Sequence, residues 1–172
     1  YFSETIIIFT SNLGIYQTTS TGERKQVVTS DLEYDEVQRK VREGIEHYFK
    51  LGLGRPEILN RIGENIVVFD FIREDVANEI LTAQIKRICS NLKVDKNICL
   101  VISDMAHEKL LKKAIGNLDN GGRGIGNIVE SMLVNPLSRY MFDNEIFSDK
   151  EIIISDIDIS ERITRLVCSV GD

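Results

Sequence analysis

NLDNGGRGIGNIVESMLVNPLSRYMFD, residues 117–143, is the stretch on which the reading of this chain turns. Gly116, Asn117, Asp119 and Asn120 form a cluster that breaks regular structure, so a helix must end before it. Two glycines and an arginine follow, and a new helix is expected to begin near Gly124 or Ile125. Its apolar positions, Ile125, Ile128, Val129, Met132, Leu133, Leu137 and Met141, recur mostly at three or four residues and define one face to be buried. Asn135–Pro136 falls inside this pattern and is expected to kink the helix or end its first half. Arg123 stands at the helix N-terminus, where free backbone N–H groups and the macrodipole favour an anion. On these residues alone the plainer account is a glycine-rich turn with a solvated arginine. The sharper one makes Arg123 a phosphate sensor.

Outward from this stretch, the chain alternates helical and strand patterns. Thr5–Thr10 is a short β-branched run that reads as a buried strand delivering Asn12 at its C-terminal edge, the edge at which parallel α/β sheets bind ligands. Residues 15–30, rich in Thr, Ser, Gln and Gly, read as a surface loop. Ser30-x-x-Glu33 has the form of a capping box, with Asp35 a competing N-cap. Val37, Val41, Ile45 and Phe49 line one helical face up to Gly52, and Pro56 opens a short helix over Glu57–Arg61. Asn65–Phe71 reads as a second strand. Glu74–Leu92 is an amphipathic helix with Val76, Ile80, Leu81, Ile85, Ile88 and Leu92 inward. Asn97–Ser103 is a third strand, Asp104–Ala114 a helix, and Glu151–Ile154 and Arg165–Val170 closing strands. Character changes near residue 65: the elements before it resemble the tail of a larger α/β sheet, and those after it a compact α+β unit. No internal repeat or low-complexity segment interrupts them.

Composition narrows the function classes. The chain has 172 residues, 42% apolar and 28% charged, with a net charge of −6, the balance of an ordinary globular domain. An acidic chain argues against a nucleic-acid groove or an anionic membrane as main partner, both of which want clustered Lys and Arg. Runs such as Ile6–Phe9 and Ile98–Ile102 are too short to span a bilayer. No charged-then-apolar leader opens the chain. Its start on Tyr1, without methionine and close before a strand, leads us to expect a fragment. Cys89, Cys99 and Cys168 lack CxxC spacing and are expected to be buried reduced thiols of an intracellular, cytoplasmic protein.

The familiar catalytic and metal patterns are missing. His47 and His107 are isolated on predicted helices, with no Ser, Cys or carboxylate at a telling spacing. HExxH, GxSxG and paired-cysteine metal spacings are absent, and no metal site is expected. Asp70, Asp104 and Asp156 follow apolar runs as turn formers or caps. Gly122-x-Gly124-x-Gly126 follows a helix, not a strand, which rules out a dinucleotide loop. No Walker A loop is present either. Three polar residues at ends of elements remain: Asn12, Arg61 and Arg123. Each taken singly has a structural explanation, as an Asx-turn, an ion-pairing surface arginine or a solvated helix start.

In order along the chain they read differently. IIIFTSNLG (Ile6–Gly14), GRPEILNRIGENIVVF (Gly54–Phe69) and GGRGIGNIVESMLVNPL (Gly121–Leu137) resemble, in the same order, the sensor 1, arginine-finger and sensor 2 motifs of Clp/Hsp100 AAA+ ATPases. The resemblance covers nearly the whole chain. It implies a fold class that is α/β followed by α+β: residues 1–65 as the C-terminal end of the large subdomain, and residues 66–172 as the small C-terminal subdomain, helices with a small sheet. It implies that Asn12 positions the attacking water near the γ-phosphate. Arg61 would be the finger offered to ATP in a neighbouring subunit. Arg123, flanked by Gly122, would contact the β/γ-phosphates of ATP in its own subunit.

The implied function is ATP-dependent unfolding or remodelling of protein substrates by a homo-hexameric ring, with Mg2+ held by elements upstream. Walker A and Walker B would lie before Tyr1, so this chain alone is expected not to hydrolyse ATP, and an exposed edge at Ile6–Phe9 is expected to pair with another chain or be disordered. Three departures stand out. Gly63–Glu64 follows the finger box where the family usually has Asp. Gly122 stands where it usually has Ala, a sterically harmless change. Residues 15–30 lack the Ile-Gly-Phe/Leu tripeptide of members that feed a Clp peptidase, so direct docking to that peptidase is not expected. The alternatives are a non-catalytic interaction module that keeps the fold, or a AAA+ remodeller of nucleic-acid complexes.

Overall fold

The structure, a computed structural model, describes residues 4–18, 22–118, 121–160 and 163–171. It divides into two compact units, Tyr1–Phe71 and Ile72–Asp172.

In the first unit a short antiparallel hairpin, β1 (Tyr16–Thr18) and β2 (Arg24–Gln26), precedes α1 (Tyr34–His47), which runs on into a π-helical turn over Tyr48–Gly52. The short helix α2 (Pro56–Ile62) follows, with Pro56 in its first turn, where a missing N–H costs nothing. Val28, Val37, Val41 and Val68 form the core, flanked by Ile15, Ile45, Ile66 and Phe71. Val37, Val41 and Ile45 thus lie inward as the periodicity predicts, while Phe49, in the π-helical turn, is not part of this core.

Other expectations for this unit are corrected. Residues 15–30 contain the hairpin instead of being loop throughout; its six strand residues are all exposed, so no alternation announced it. The N-cap of α1 is Glu33, whose side chain makes no cap bond. Thr5–Thr10 is not a strand: no other strand lies alongside it among the described residues, and Ile6 and Phe9 are 92% and 90% exposed. Asn65–Phe71 forms no ladder among the described residues, and side chains bond two of its carbonyls. Tyr34 Oη donates to Val68 O at 3.0 Å and Arg42 Nη2 to Ile66 O at 2.9 Å, which ties the segment to α1.

The second unit holds α3 (Glu74–Lys96), β3 (Cys99–Ile102), α4 (Asp104–Ile115), α5 (Gly121–Val129), a π-helical turn over Glu130–Val134, α6 (Asn135–Asp143), β4 (Glu151–Ser160) and β5 (Ile163–Gly171). The sheet order is β3-β4-β5. β4 is central, parallel to β3 with Cys99 opposite Glu151, and antiparallel to β5 with Ile152 opposite Val170. Leu81, Leu110, Ile125, Leu133, Ile152, Ile154 and Ile157 are fully buried in one core between helices and sheet.

α3 turns its inward stripe slightly from the expected one: Ala77 is buried, while Val76 is exposed. It ends at Asn97, which takes the left-handed conformation (φ 52°) and donates through its side chain to Asp149 at 2.9 Å. Ser103 caps α4 by accepting from Ala106 N.

The break at Pro136 takes a specific form. The Asn135 N–H reaches back to Glu130 O, five residues away, and this wider turn accommodates a proline that lacks an N–H and whose ring crowds the preceding turn. Ile125, Val129, Met132, Leu133, Leu137 and Met141 nevertheless all reach the core. All three cysteines are free; Cys99 is exposed, contrary to expectation, and Cys89 and Cys168 are half-buried.

Candidate functional site

Asn12 sits in a turn whose backbone is tightly held. The Leu13 N–H donates to Ser11 Oγ at 3.1 Å, closing a local loop around Asn12. Gly14 follows with φ +87°, a value that suits glycine. Its Cα lies directly on the backbone of α1. A Cβ built on Gly14 would come within 2.5 Å of Val41 O, and one built on Gly44 within 2.5 Å of Gly14 Cα. After the turn, Ile15 O accepts from Val27 N at 2.9 Å, joining the hairpin to the unit-1 core. The Asn12 side chain itself is exposed.

Sequence reasoning missed this backbone contact. The available signal was Gly44, a glycine in the middle of an amphipathic helix, where it costs about 1 kcal/mol relative to alanine and so asks for a packing reason.

Arg61 lies in the last turn of α2, where a cation is favourable, and is exposed. Gly63 closes the helix at φ +57°, its N–H donating to Leu59 O at 2.9 Å. Beside it a shallow cleft of about 300 Å³ is lined by Arg42, Glu46, Asn60, Gly63 and Glu64. Arg61 is not among the lining residues.

In the second unit, α5 starts at Gly121, earlier than the sequence suggests; Asp119 and Asn120 of the breaker lie outside the described residues. Arg123 is the third residue of α5, exposed, with Gly124 and Ile125 buried next to it. Burial of those neighbours fixes the first turn while the Arg123 side chain is exposed at a helix start, where N–H groups have no partner within the helix. A Cβ on Gly122 would meet Ile72 Cδ1 at 3.5 Å, an ordinary contact, so alanine would fit there. Among the described residues no carboxylate pairs with Arg61 or Arg123. Both charges are available to a ligand or partner.

The remaining titratable groups do structural work. His107 Nε2 lies 3.3 Å from Thr82 Oγ1 between α4 and α3. Lys109 Nζ pairs with Asp156 at 2.6 Å and donates to Ile157 O. That ammonium contact, followed by the Ile157 N–H, holds the Asp156 carboxyl below the usual range. Burial pushes the Cys168 thiol up to about 11. Among the described residues no group of His, Cys, Asp and Glu is arranged to hold a metal, and no helix is long and apolar enough to cross a membrane.

A helical unit closed by a three-stranded sheet, with a glycine-flanked arginine in the first turn of α5, has the form of the small C-terminal domain of a AAA+ protein. Residues 72–154 match the family described as the C-terminal, D2-small domain of ClpB protein. Relatives extend the likeness across nearly the whole chain. Chaperone protein ClpB 1 of Synechocystis sp. is 29% identical over 91% of this chain and 16% of its own length. Chaperone protein ClpB of Agrobacterium fabrum is 32% identical over 84% of this chain and 15% of its own. The ATP-dependent Clp protease ATP-binding subunit ClpA homolog CD4B, chloroplastic, of Solanum lycopersicum is 28% identical over 99% of this chain and 18% of its own. These matches support a chain that corresponds to the C-terminal part of a Clp/Hsp100 AAA+ ATPase. The chain spans less than a fifth of the length of these relatives.

Proposed function

We propose that the chain serves as the C-terminal part of an ATP-driven protein unfoldase or chaperone, a homo-hexameric ring in the cytoplasm. It would contribute nucleotide-sensing and subunit-interface residues. One observation carries the reading: the exposed, unpaired Arg123 in the first turn of α5, within the segment that matches the ClpB D2-small domain. A guanidinium beside free helix N–H groups suits a phosphate oxyanion, which is the donor chemistry a nucleotide needs. The names of the relatives, Clp chaperones and ATP-binding subunits, favour this over a bare interaction module or a remodeller of nucleic acid.

ATP supplies the γ-phosphoryl group whose transfer to water releases the energy used. Phosphoryl transfer depends mainly on positioning and charge neutralisation, and that is the work assigned to this chain. Asn12 holds the attacking water by its side-chain amide. Arg61 extends toward the nucleotide of the neighbouring subunit, a role worth about 10³–10⁵ in rate. Arg123 binds the phosphates in its own subunit and, standing in the second unit, reports their presence to it; Gly122 leaves its approach open. Mg2+ is assigned to the preceding part of the ATPase, which would carry Walker A and Walker B.

The test is ATP turnover by the full-length ATPase, wild type against Arg61→Ala, alone and mixed with a subunit disabled in Walker B. Loss of turnover in Arg61→Ala with partial recovery on mixing is expected. Normal turnover in Arg61→Ala would reduce the motif match to one of fold and remove Arg61 from the site.

A further inference from the structure

We propose that Gly44, on α1, is a positioning residue for Asn12. The backbone contact between Gly14 and Gly44, together with the Ser11 hydroxyl, sets where the Asn12 amide stands. This rests on the reading of Asn12 as the residue that holds the attacking water.

Asn12 lies within a four-residue turn held at both ends. On one side the Leu13 N–H donates to Ser11 Oγ at 3.1 Å. On the other, Gly14 is buried with its Cα against the main chain of α1: a Cβ on Gly14 would stand 2.5 Å from Val41 O, and a Cβ on Gly44 2.5 Å from Gly14 Cα. Real Cβ atoms do not approach backbone so closely, and backbone cannot swing aside as the end of a long side chain can. A methyl group at position 44 must therefore lift the turn off α1 and take Asn12 with it. The displacement needed, to reach an ordinary contact of 3.4 Å or more, is on the order of 1 Å, enough to cost a large factor when a reacting group has to be placed.

The geometry also separates positioning from folding. Alanine is the better helix former, so α1 itself gains from Gly44→Ala. Val37, Val41 and Val28, which carry the unit-1 core, keep their apolar side chains. Gly14→Ala would be a poorer probe, since it adds backbone strain at φ +87° to the same clash.

The experiment is a double-mutant cycle in the full-length ATPase with Asn12→Ala, Gly44→Ala and both, reading kcat and KM for ATP. Glu43→Ala, an exposed neighbour on α1, is the control and should leave kcat within twofold. Gly44→Ala is expected to lower kcat at least tenfold with KM within twofold. In the Asn12→Ala background it should cost nothing further, because the group it positions is gone. Unchanged kcat in Asn12→Ala would remove the water-positioning role and this proposal with it. A fall in Asn12→Ala with normal turnover in Gly44→Ala, or with multiplying effects in the double variant, would overturn the proposal and leave the role of Asn12 standing. Far-UV circular dichroism reports whether Gly44→Ala is folded. Should it not be, Ser11→Ala decides, since it releases the exposed side of the same turn: a several-fold loss of kcat supports positioning, and unchanged kcat overturns it.

Discussion

Replacing Ile125 with alanine tests whether α5 is anchored as described, because Ile125 follows Arg123 by two residues and is fully buried. The substitution deletes three carbons from the core. At about 0.8 kcal/mol for each, the transfer loss is roughly 2.4 kcal/mol. The space left behind adds to it, since Ala106, Leu110, Leu133 and Ile154 belong to a helix-and-sheet core that cannot collapse freely, and the whole falls at about 2.5–5 kcal/mol. A unit of this size has a total stability of about 5–15 kcal/mol, so roughly a sixth of it or more is at stake. The assay is native-state hydrogen exchange of core amides in α3, α4 and β4. Protection there should fall by about two to three and a half orders of magnitude, since each factor of ten is about 1.4 kcal/mol. Ile125→Val, which removes one carbon, should cost only about 0.5–1.5 kcal/mol. Protection within a factor of two of wild type in Ile125→Ala would refute the packing, and with it the claim that burial of this residue fixes the first turn that presents Arg123.

Two other perturbations follow from the second unit. At Asn97, held at φ 52° and bonded to Asp149, alanine and glycine both lose the side-chain bond but only alanine is strained. Asn97→Ala should therefore be less stable than Asn97→Gly by about 1–2 kcal/mol in urea unfolding; equal midpoints would contradict a left-handed cap there. Asp156 has its carboxyl pKa lowered by Lys109 and the Ile157 N–H. Its contribution is fully present above the unfolded carboxylate pKa and is lost as pH falls through the folded one. Asp156→Asn should therefore be less stable than wild type at pH 7 and converge with it at acid pH, and a stability gap that stays constant down to acid pH would count against the pair.

The parts of the fold that were legible in the sequence are those where one chain segment carries its own reason. Leu81 and Ile85 on α3, and Ile125 to Met141 across the π-helical turn, repeat at helical spacing and are buried where the spacing puts them. β3, β4 and β5 were found because apolar runs there meet each other, but β4 runs on to Ser160, and Asp156, read as a turn former or cap, lies within its ladder opposite Val167. The run at Thr5–Thr10 looks the same in sequence, but a strand is a property of a pair, and the run forms no ladder with another strand among the described residues. Asn65–Phe71 failed for a related reason: Arg42 and Tyr34, more than twenty residues upstream, supply its carbonyl partners. The hairpin at residues 16–26 is polar on both faces, with Arg24 stacked 5.3 Å over Tyr16, so its alternation is invisible. For the candidate site, motif order alone proposes Asn12, Arg61 and Arg123, and the structure adds that all three are exposed. The contact of Gly14 on Gly44 was not, since close approach of two backbones leaves no mark except an unexplained glycine in a helix.

The parallel pairing of β3 with β4 carries a consequence for how the chain is born. Cys99 finds its partner in Glu151, 52 positions later, as Ser103 finds Ser155, and three helices lie between. At a synthesis rate of about 5–20 residues per second, the ribosome takes roughly 3–10 s to deliver the second strand after the first. For that interval β3 has no neighbour, and Ile98 and Leu100, buried in the finished protein, must be shielded by α3 and α4 alone. The helices can form in microseconds; the sheet has to wait for translation. The chain thus passes through its own synthesis with an apolar strand that lacks its sheet partner.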